Sequence, residues 1–250
     1  YEITCRDWSS DVGSSDLFIL GVAALICPIS VSRQLIRWDV PVMIAVSLLC
    51  ILFLRDMALS RLEGAILFGG AVLYTVWTFY QAKREPNQSL SEEVPAELSH
   101  GSQRMTMICG LILAGLVFLV LGSKALIAGS IRVAHHFGIS EAVIGLTIIS
   151  AGTSLPELAT SVVAAIRRQP EIAIGNVVGS NIFNILAILG LSSLIKPYSS
   201  PGLTTVDLLM MLSMAVVSLP FMWSRFRLDR WEGGVYLLCY GLYLAYLWPK

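Results

Sequence analysis

Charge is scarce in this chain. Only 14% of its 250 residues are Asp, Glu, Lys or Arg, against roughly 25% in a soluble domain. Hydrophobic residues make up 56% and the mean hydropathy is +0.74. That deficit excludes an ordinary soluble globule and points to a polytopic protein whose main partner is the lipid bilayer. The 17 basic and 17 acidic side chains cancel, so nothing in the charge balance favours a nucleic-acid partner. Cysteine is sparse as well. Cys5, Cys27, Cys50, Cys109 and Cys239 show no CxxC spacing and sit mostly in apolar runs, which favours buried free thiols over a disulfide framework or a metal site. His135 and His136 close an apolar run, where an interfacial role fits a membrane boundary.

Residues 1–17 are polar and lack the apolar core that a signal peptide or a spanning helix needs. Positions 6–17 resemble the translation of a sequencing-library adapter, with Gly13 where that peptide carries cysteine. Residues 1–17 are therefore read as a non-native segment.

What the chain does have is long apolar runs with polar centres. From Ala142 to Ile166 the only formal charge is Glu157, and from Ile172 to Ile195 there is none. Each run is long enough to cross a hydrocarbon core of roughly 30 Å. The first centre reads Gly152-Thr153-Ser154-Leu155-Pro156-Glu157. Proline in a helix interior frees the carbonyl four residues back, here that of Gly152, at a cost of about 3 kcal/mol. Ser150, Thr153, Ser154, Glu157, Thr160 and Ser161 recur at helical spacing, which puts hydroxyls and one carboxylate on one face. In the second run Asn176, Ser180 and Asn184 are spaced by four, and Gly175 with Gly179 forms a small-residue pattern that predicts close approach by another helix. Hydroxyls and amides in membrane helices often serve only as packing glue. A carboxylate at mid-membrane costs on the order of 2.5–3.5 kcal/mol even on lenient scales, and its default reading is functional. An all-oxygen pocket suits Ca²⁺ or Na⁺ better than a transition metal. Lys124, inside the run Met105–Ile131, fits either packing by a snorkelling stem or a gating role.

GTSLPE followed by GNVVGSNIFN resembles the second alpha repeat of the cation/calcium exchanger superfamily, in particular its prokaryotic sodium/calcium exchanger branch. The resemblance implies that Glu157 coordinates Ca²⁺, that Thr153, Ser154 and nearby carbonyls such as that of Gly152 help bind Na⁺ and Ca²⁺, and that Ser180 and Asn184 complete the sites. Some members carry aspartate where this chain has Asn184. It further implies that the helix around Lys124 slides across the core to open alternate faces.

An internal repeat is visible without reference to any family. Ile19–Pro28 matches Ile188–Pro197, and Leu59–Gly64 matches Leu228–Gly233, both at an offset of 169 residues. Duplicated halves follow. The counterpart of Met105 falls upstream of the sequence, so about 80 residues, with the first copy of the ion motifs, are expected to be missing before Phe18. The helix remnant Phe18–Cys27 is too short to span. Hydropathy then places spans at Val40–Leu54 and Gly64–Ala82 in a truncated first repeat (18–82), a polar linker at 83–104, and five spans in a second repeat (105–250): Met105–Ile131, Ala142–Ile166, Ile172–Ile195, Leu208–Ser224 and Gly233–Trp248.

The fold class expected is thus all-α and polytopic, with five-helix repeats of inverted topology. Two tandem units with an odd number of spans must enter the membrane in opposite senses, which puts a transporter's site at the midplane between them. The side bearing the linker collects ten Lys and Arg, Arg33, Arg37, Arg167 and Arg168 among them, and the other side five. The linker is therefore expected in the cytoplasm and the C-terminus outside, in a bacterial inner membrane. Glu63 and Glu232, at matching helix starts, read as caps or as partners of Arg61 and Arg230 rather than as ion ligands.

The function expected is a secondary antiporter that exchanges Ca²⁺ for Na⁺ by alternating access. It involves no covalent chemistry and no cofactor, the two ions being cargo, and so no enzyme activity. A cation/proton antiporter, in which Glu157 carries the proton, remains open. A passive channel and a structural membrane subunit are compatible with the same composition.

Overall fold

A computed structural model describes residues 17–84, 102–136, 152, 154–199 and 205–247. The expected non-native segment 1–17 and linker 83–104 fall almost wholly outside them, as do Ser150 and Thr153.

The described chain is helical apart from four two-residue strands. The short helix α1 (Leu17–Ile26) leads through β1 (Ile29–Ser30) into a π-helical turn, Leu35–Asp39, and α2 (Val40–Phe53). Strand β2 (Ala58–Leu59) precedes α3 (Arg61–Arg84). A 35-residue helix, α4 (Ser102–His136), opens the second half. It is followed by α5 (Leu155–Ile166), then α6 (Pro170–Phe183), a π segment (Asn184–Leu189) and α7 (Gly190–Ile195). Strand β3 (Tyr198–Ser199), α8 (Thr205–Arg225), β4 (Arg227–Leu228) and α9 (Arg230–Leu247) complete the chain.

Four stretches are long and apolar enough to cross a membrane: Leu35–Asp56, Arg61–Lys83, Thr106–Val133 and Glu171–Ile195. Leu17–Ile26, Leu155–Ile166 and Leu208–Trp223 are shorter apolar helices. The expected run Ala142–Ile166 is described only from Gly152, and its helix starts at Leu155 because Ser154 has left helical geometry (φ −89°, ψ 2°). The Gly233–Trp248 span begins three residues earlier than hydropathy places it, at Arg230, with Glu232 in its first turn.

The duplication governs the packing. Strand β1 pairs antiparallel with β4 (Ile29 with Leu228, Ser30 with Arg227), and β2 with β3 (Ala58 with Ser199, Leu59 with Tyr198). An offset of 169 residues carries β1 onto β3 and β2 onto β4, so each pairing is the other with the halves exchanged. Since α2 runs from β1 to β2, the two pairs lie at opposite ends of it. Equivalent strands therefore sit at opposite ends of the bundle, which is an inverted repeat.

The same exchange relates the tightest helix crossings. A Cβ on Gly190 would lie 2.7 Å from the Phe68 nitrogen and 3.1 Å from the Gly64 carbonyl, and one on Gly233 would lie 2.9 Å from the Gly21 carbonyl and 3.3 Å from the Leu25 nitrogen. Backbones meet here because neither helix carries a side chain at the crossing. Met57 and Phe226, also 169 apart, both take positive φ (57° and 51°) where a helix turns into a strand.

Glu63 accepts hydrogen bonds from the Ser60 N–H (2.8 Å) and Oγ (2.7 Å), and Glu232 from the Asp229 N–H (2.7 Å). These are helix-start caps, as expected from their positions, and the Ser60 pair is reciprocal, the Glu63 N–H donating to Ser60 Oγ (3.3 Å). The core of the bundle includes Ile19, Ile29, Leu54, Leu59, Leu67, Ile174, Ile182 and Tyr236, all fully buried.

The thiols depart from expectation. Of the four described cysteines, all free, only Cys50 is buried; Cys27 and Cys239 are partly exposed and Cys109 lies on the exposed flank of α4. Cys5 is outside the described residues. An apolar run marks a helix that avoids water, and in a membrane protein that surface can face lipid as readily as protein.

Candidate cation site

Helices α5 and α6 form an antiparallel hairpin around a tight turn, in which Arg168 takes φ 57° and the Gln169 N–H donates to the Ala164 carbonyl (2.9 Å). Pro156 stands in the first turn of α5, where a missing N–H costs nothing. It therefore starts a helix rather than breaking the interior of one, so the expected penalty of an interior proline does not arise. The Ser154 carbonyl accepts the first α5 bond, from the Leu158 N–H at 2.9 Å.

Glu157 lies in that first turn, half-buried, and its Oε2 is buried with no hydrogen-bond partner among the described residues. An unsatisfied buried carboxylate oxygen is costly unless a cation or a proton meets it. Gly152 is buried against α4: a Cβ there would overlap the Ile127 side chain. The break before α5 thus abuts the helix that carries Lys124, whose own side chain is exposed.

Asn176 binds the hairpin together. Its Nδ2 donates to the Glu157 carbonyl (3.0 Å) and to Ser161 Oγ (3.0 Å), and Ser161 Oγ donates back to the Ala173 carbonyl (3.4 Å). On α6 Ser180 then lies about 6 Å and Asn184 about 12 Å further along the axis, at 1.5 Å per residue. Because the hairpin is antiparallel, that direction leads toward the N-terminal end of α5. Ser180 Oγ donates to the Val177 carbonyl at 2.9 Å, and Asn184 opens the π segment. A π-helical irregularity within an α-helix often accompanies a functional position.

Asn176 is thus level with Glu157 and Ser161, while Ser180 stands about one turn and Asn184 about two turns further along α6, toward the end of α5 that holds Gly152 and Ser154. Thr153 lies outside the described residues. The remaining polar residues of the two faces divide. Thr160 is exposed and its hydroxyl donates to the Pro156 carbonyl (2.8 Å), whereas Ser161 is fully buried. Asn176, expected on the oxygen face, points its amide nitrogen into α5. Sequence spacing marked it as polar at the right interval but held no sign of the bridge. Gly175 and Gly179 were expected to admit another helix; a Cβ on either meets nothing within 4 Å among the described residues. No group of three or more His, Cys, Asp or Glu that could hold a metal occurs among the described residues; of the candidate ligands, Glu157 alone is a carboxylate.

A helix that starts at mid-run, a half-buried carboxylate in its first turn and two inverted halves are features that helical membrane transporters share. The match to known proteins is specific: residues 16–80 and 107–248 fit the sodium/calcium exchanger protein family, and the chain belongs to that family. It is 43% identical over 182 residues to CaxA of Alkalimonas amylolytica, covering 72% of this chain and 57% of that protein. It is 36% identical over 213 residues to the inner membrane protein YrbG of Escherichia coli, covering 84% of this chain and 65% of that protein. The chain thus spans 57% and 65% of the lengths of these relatives. The solved structure of the sodium-calcium exchanger NCX_Mj superposes with a TM-score of 0.78 over 97% of this chain and 76% of that one, at 24% identity, a likeness of fold.

Proposed function

We propose that this protein exchanges Ca²⁺ for Na⁺ by alternating access, with Gly152, Thr153, Ser154, Glu157, Ser180 and Asn184 as ligands from the second repeat. The observation that carries the reading is Glu157 Oε2, buried without a partner at a helix break in an apolar bundle. Hard cations are held by carboxylate, carbonyl, hydroxyl and amide oxygens, the donor set of these candidate ligands.

One carboxylate is few for a calcium cage. The inverted repeat supports a further step in the same reading: a first copy of the polar-proline-glutamate motif, upstream of this sequence, supplies opposing ligands across the pseudo-twofold axis. The relatives' greater length is consistent with that. We place the protein in a bacterial inner membrane, with linker 83–104 in the cytoplasm and the C-terminus outside, on the ten-to-five balance of basic residues.

The test is Ca²⁺ flux in proteoliposomes holding the full-length protein, under imposed Na⁺ or H⁺ gradients. Na⁺-driven uptake that vanishes in Glu157→Gln, with the variant still inserted, is the expected result. Flux driven by H⁺ and indifferent to Na⁺ would move the assignment to proton antiport. Uptake that needs no counter-ion, or survives the substitution, would sink it.

A further inference from the structure

A cavity lies on the face of α6 next to the one that carries Asn176 and Ser180, toward the end of the bundle where β1 meets β4. It measures about 390 Å³ and is formed between the π-helical turn before α2, the last turns of α3 and the flank of α6. Three rings wall it. Trp38 and Trp77 stand edge to face with centroids 5.6 Å apart, and Tyr74 lies 6.2 Å from Trp77. Gly175 and Gly179 form a bare stretch of the wall. Asp39 supplies the one carboxylate among the described lining residues, accepting a hydrogen bond from Tyr74 Oη at 3.0 Å.

Among the described residues no Lys or Arg forms an ion pair with Asp39. Arg37, the nearest basic residue in sequence, packs its guanidinium over Trp38, 5.8 Å from the ring centroid. A carboxylate lodged in a helix that crosses a membrane calls for a positive partner. Aromatic belts at membrane boundaries explain tryptophan and tyrosine, but they do not require an acid between the rings.

The shape of the cavity selects the partner. A bare Ca²⁺ or Na⁺ needs several oxygens within about 2.6 Å, in a cage far tighter than this one. Ring faces do not replace those oxygens. An organic ammonium uses both features: its N–H donors meet the carboxylate and its charge rests against the aromatic faces. The volume falls in the range of small-molecule sites, roughly 300–1,000 Å³. We propose that this cavity binds an organic ammonium group, with Asp39 as counter-ion and Trp38, Tyr74 and Trp77 as walls. The ammonium comes from a lipid headgroup or from a free amine.

Calorimetric titration of the full-length protein, in micelles free of amino lipids, separates the outcomes. The probes are short-chain phosphatidylethanolamine, short-chain phosphatidylglycerol and ethanolamine. Saturable binding of phosphatidylethanolamine, weakened about tenfold or more in Asp39→Asn by loss of the ion pair, is the expected result, with no binding of phosphatidylglycerol. Ethanolamine binding as tightly as the lipid would identify a free amine as the source. Asp39→Asn keeps an acceptor for Tyr74; should it nevertheless fail to fold, Trp77→Leu, which removes a wall, decides in its place. Absence of saturable binding by both ammonium probes, equal binding of phosphatidylglycerol, or affinity unchanged in the variants overturns the proposal.

Discussion

The two crossings where the halves meet and the hairpin that carries Glu157 are built on opposite terms. At the crossings of α1 with α9 and of α3 with α7, equivalent glycines bring backbone close to backbone, Gly21 to the Gly233 carbonyl and Gly190 to the Gly64 carbonyl. Around α4 the repeat has no described counterpart and packing is thin: 6% of its apolar stretch is buried, against 50% for Glu171–Ile195. Interdigitated contacts fix a frame, while a helix held by few contacts can shift at low cost. The site stands between the two, with α6 anchored in the frame and Gly152 against α4.

The largest stability loss is expected at the crossings. Gly190→Ala puts a methyl group 2.7 Å from a backbone nitrogen that cannot move away, and should cost about 1–3 kcal/mol. Gly21→Ala meets mainly the flexible end of Leu237 and should cost less. Gly115→Ala on α4, with open space around it, should raise or leave the melting temperature, since it removes only the helix penalty of glycine. Thermal melts of the three purified variants in detergent check the order. Equal shifts at Gly190 and Gly115 would erase the contrast between the frame and the thinly packed helix.

Asn176→Ala removes both donations that hold α5 to α6. A loss of about 1–2 kcal/mol is expected, given what interhelical hydrogen bonds contribute in membranes. If the hairpin sets the site, Ca²⁺ affinity should fall with it, whereas Ser213→Ala, whose hydroxyl bonds only within its own helix, should leave affinity alone. Affinity unchanged in Asn176→Ala would uncouple the bridge from the site.

The two helix-start caps offer the finest comparison. Glu232 is buried and Glu63 partly exposed, so equivalent bonds are shielded from water to different degrees. Glu232→Ala should cost about 1 kcal/mol and Glu63→Ala about 0.5 kcal/mol, the range for lost caps. Matching losses in melting experiments would indicate that local geometry alone sets the worth of a cap. Within the site, Asn184→Asp adds a carboxylate and should strengthen Ca²⁺ binding, since affinity follows ligand charge. Radiolabelled Ca²⁺ binding that does not change would put Asn184 outside the coordination sphere.

Composition alone determined that this is a helical membrane protein, and an offset of 169 residues between Ile19–Pro28 and Ile188–Pro197 determined that it is duplicated. Both are properties of one strand of sequence: hydropathy is a sum over residues, and a repeat is a self-comparison. The caps at Glu63 and Glu232 were legible for the same reason, because a cap closes within four residues of itself. Only the tertiary structure decided which polar residues of α5 and α6 share a level, that Pro156 opens a helix, that Asn176 is a bridge, and that Gly175 and Gly179 face a cavity. Helical spacing gives the angle of a side chain about its own axis. The register and rotation of neighbouring helices are fixed by packing between distant segments, here by glycine crossings and strand pairs that join one half to the other, and no periodicity within a single helix records them.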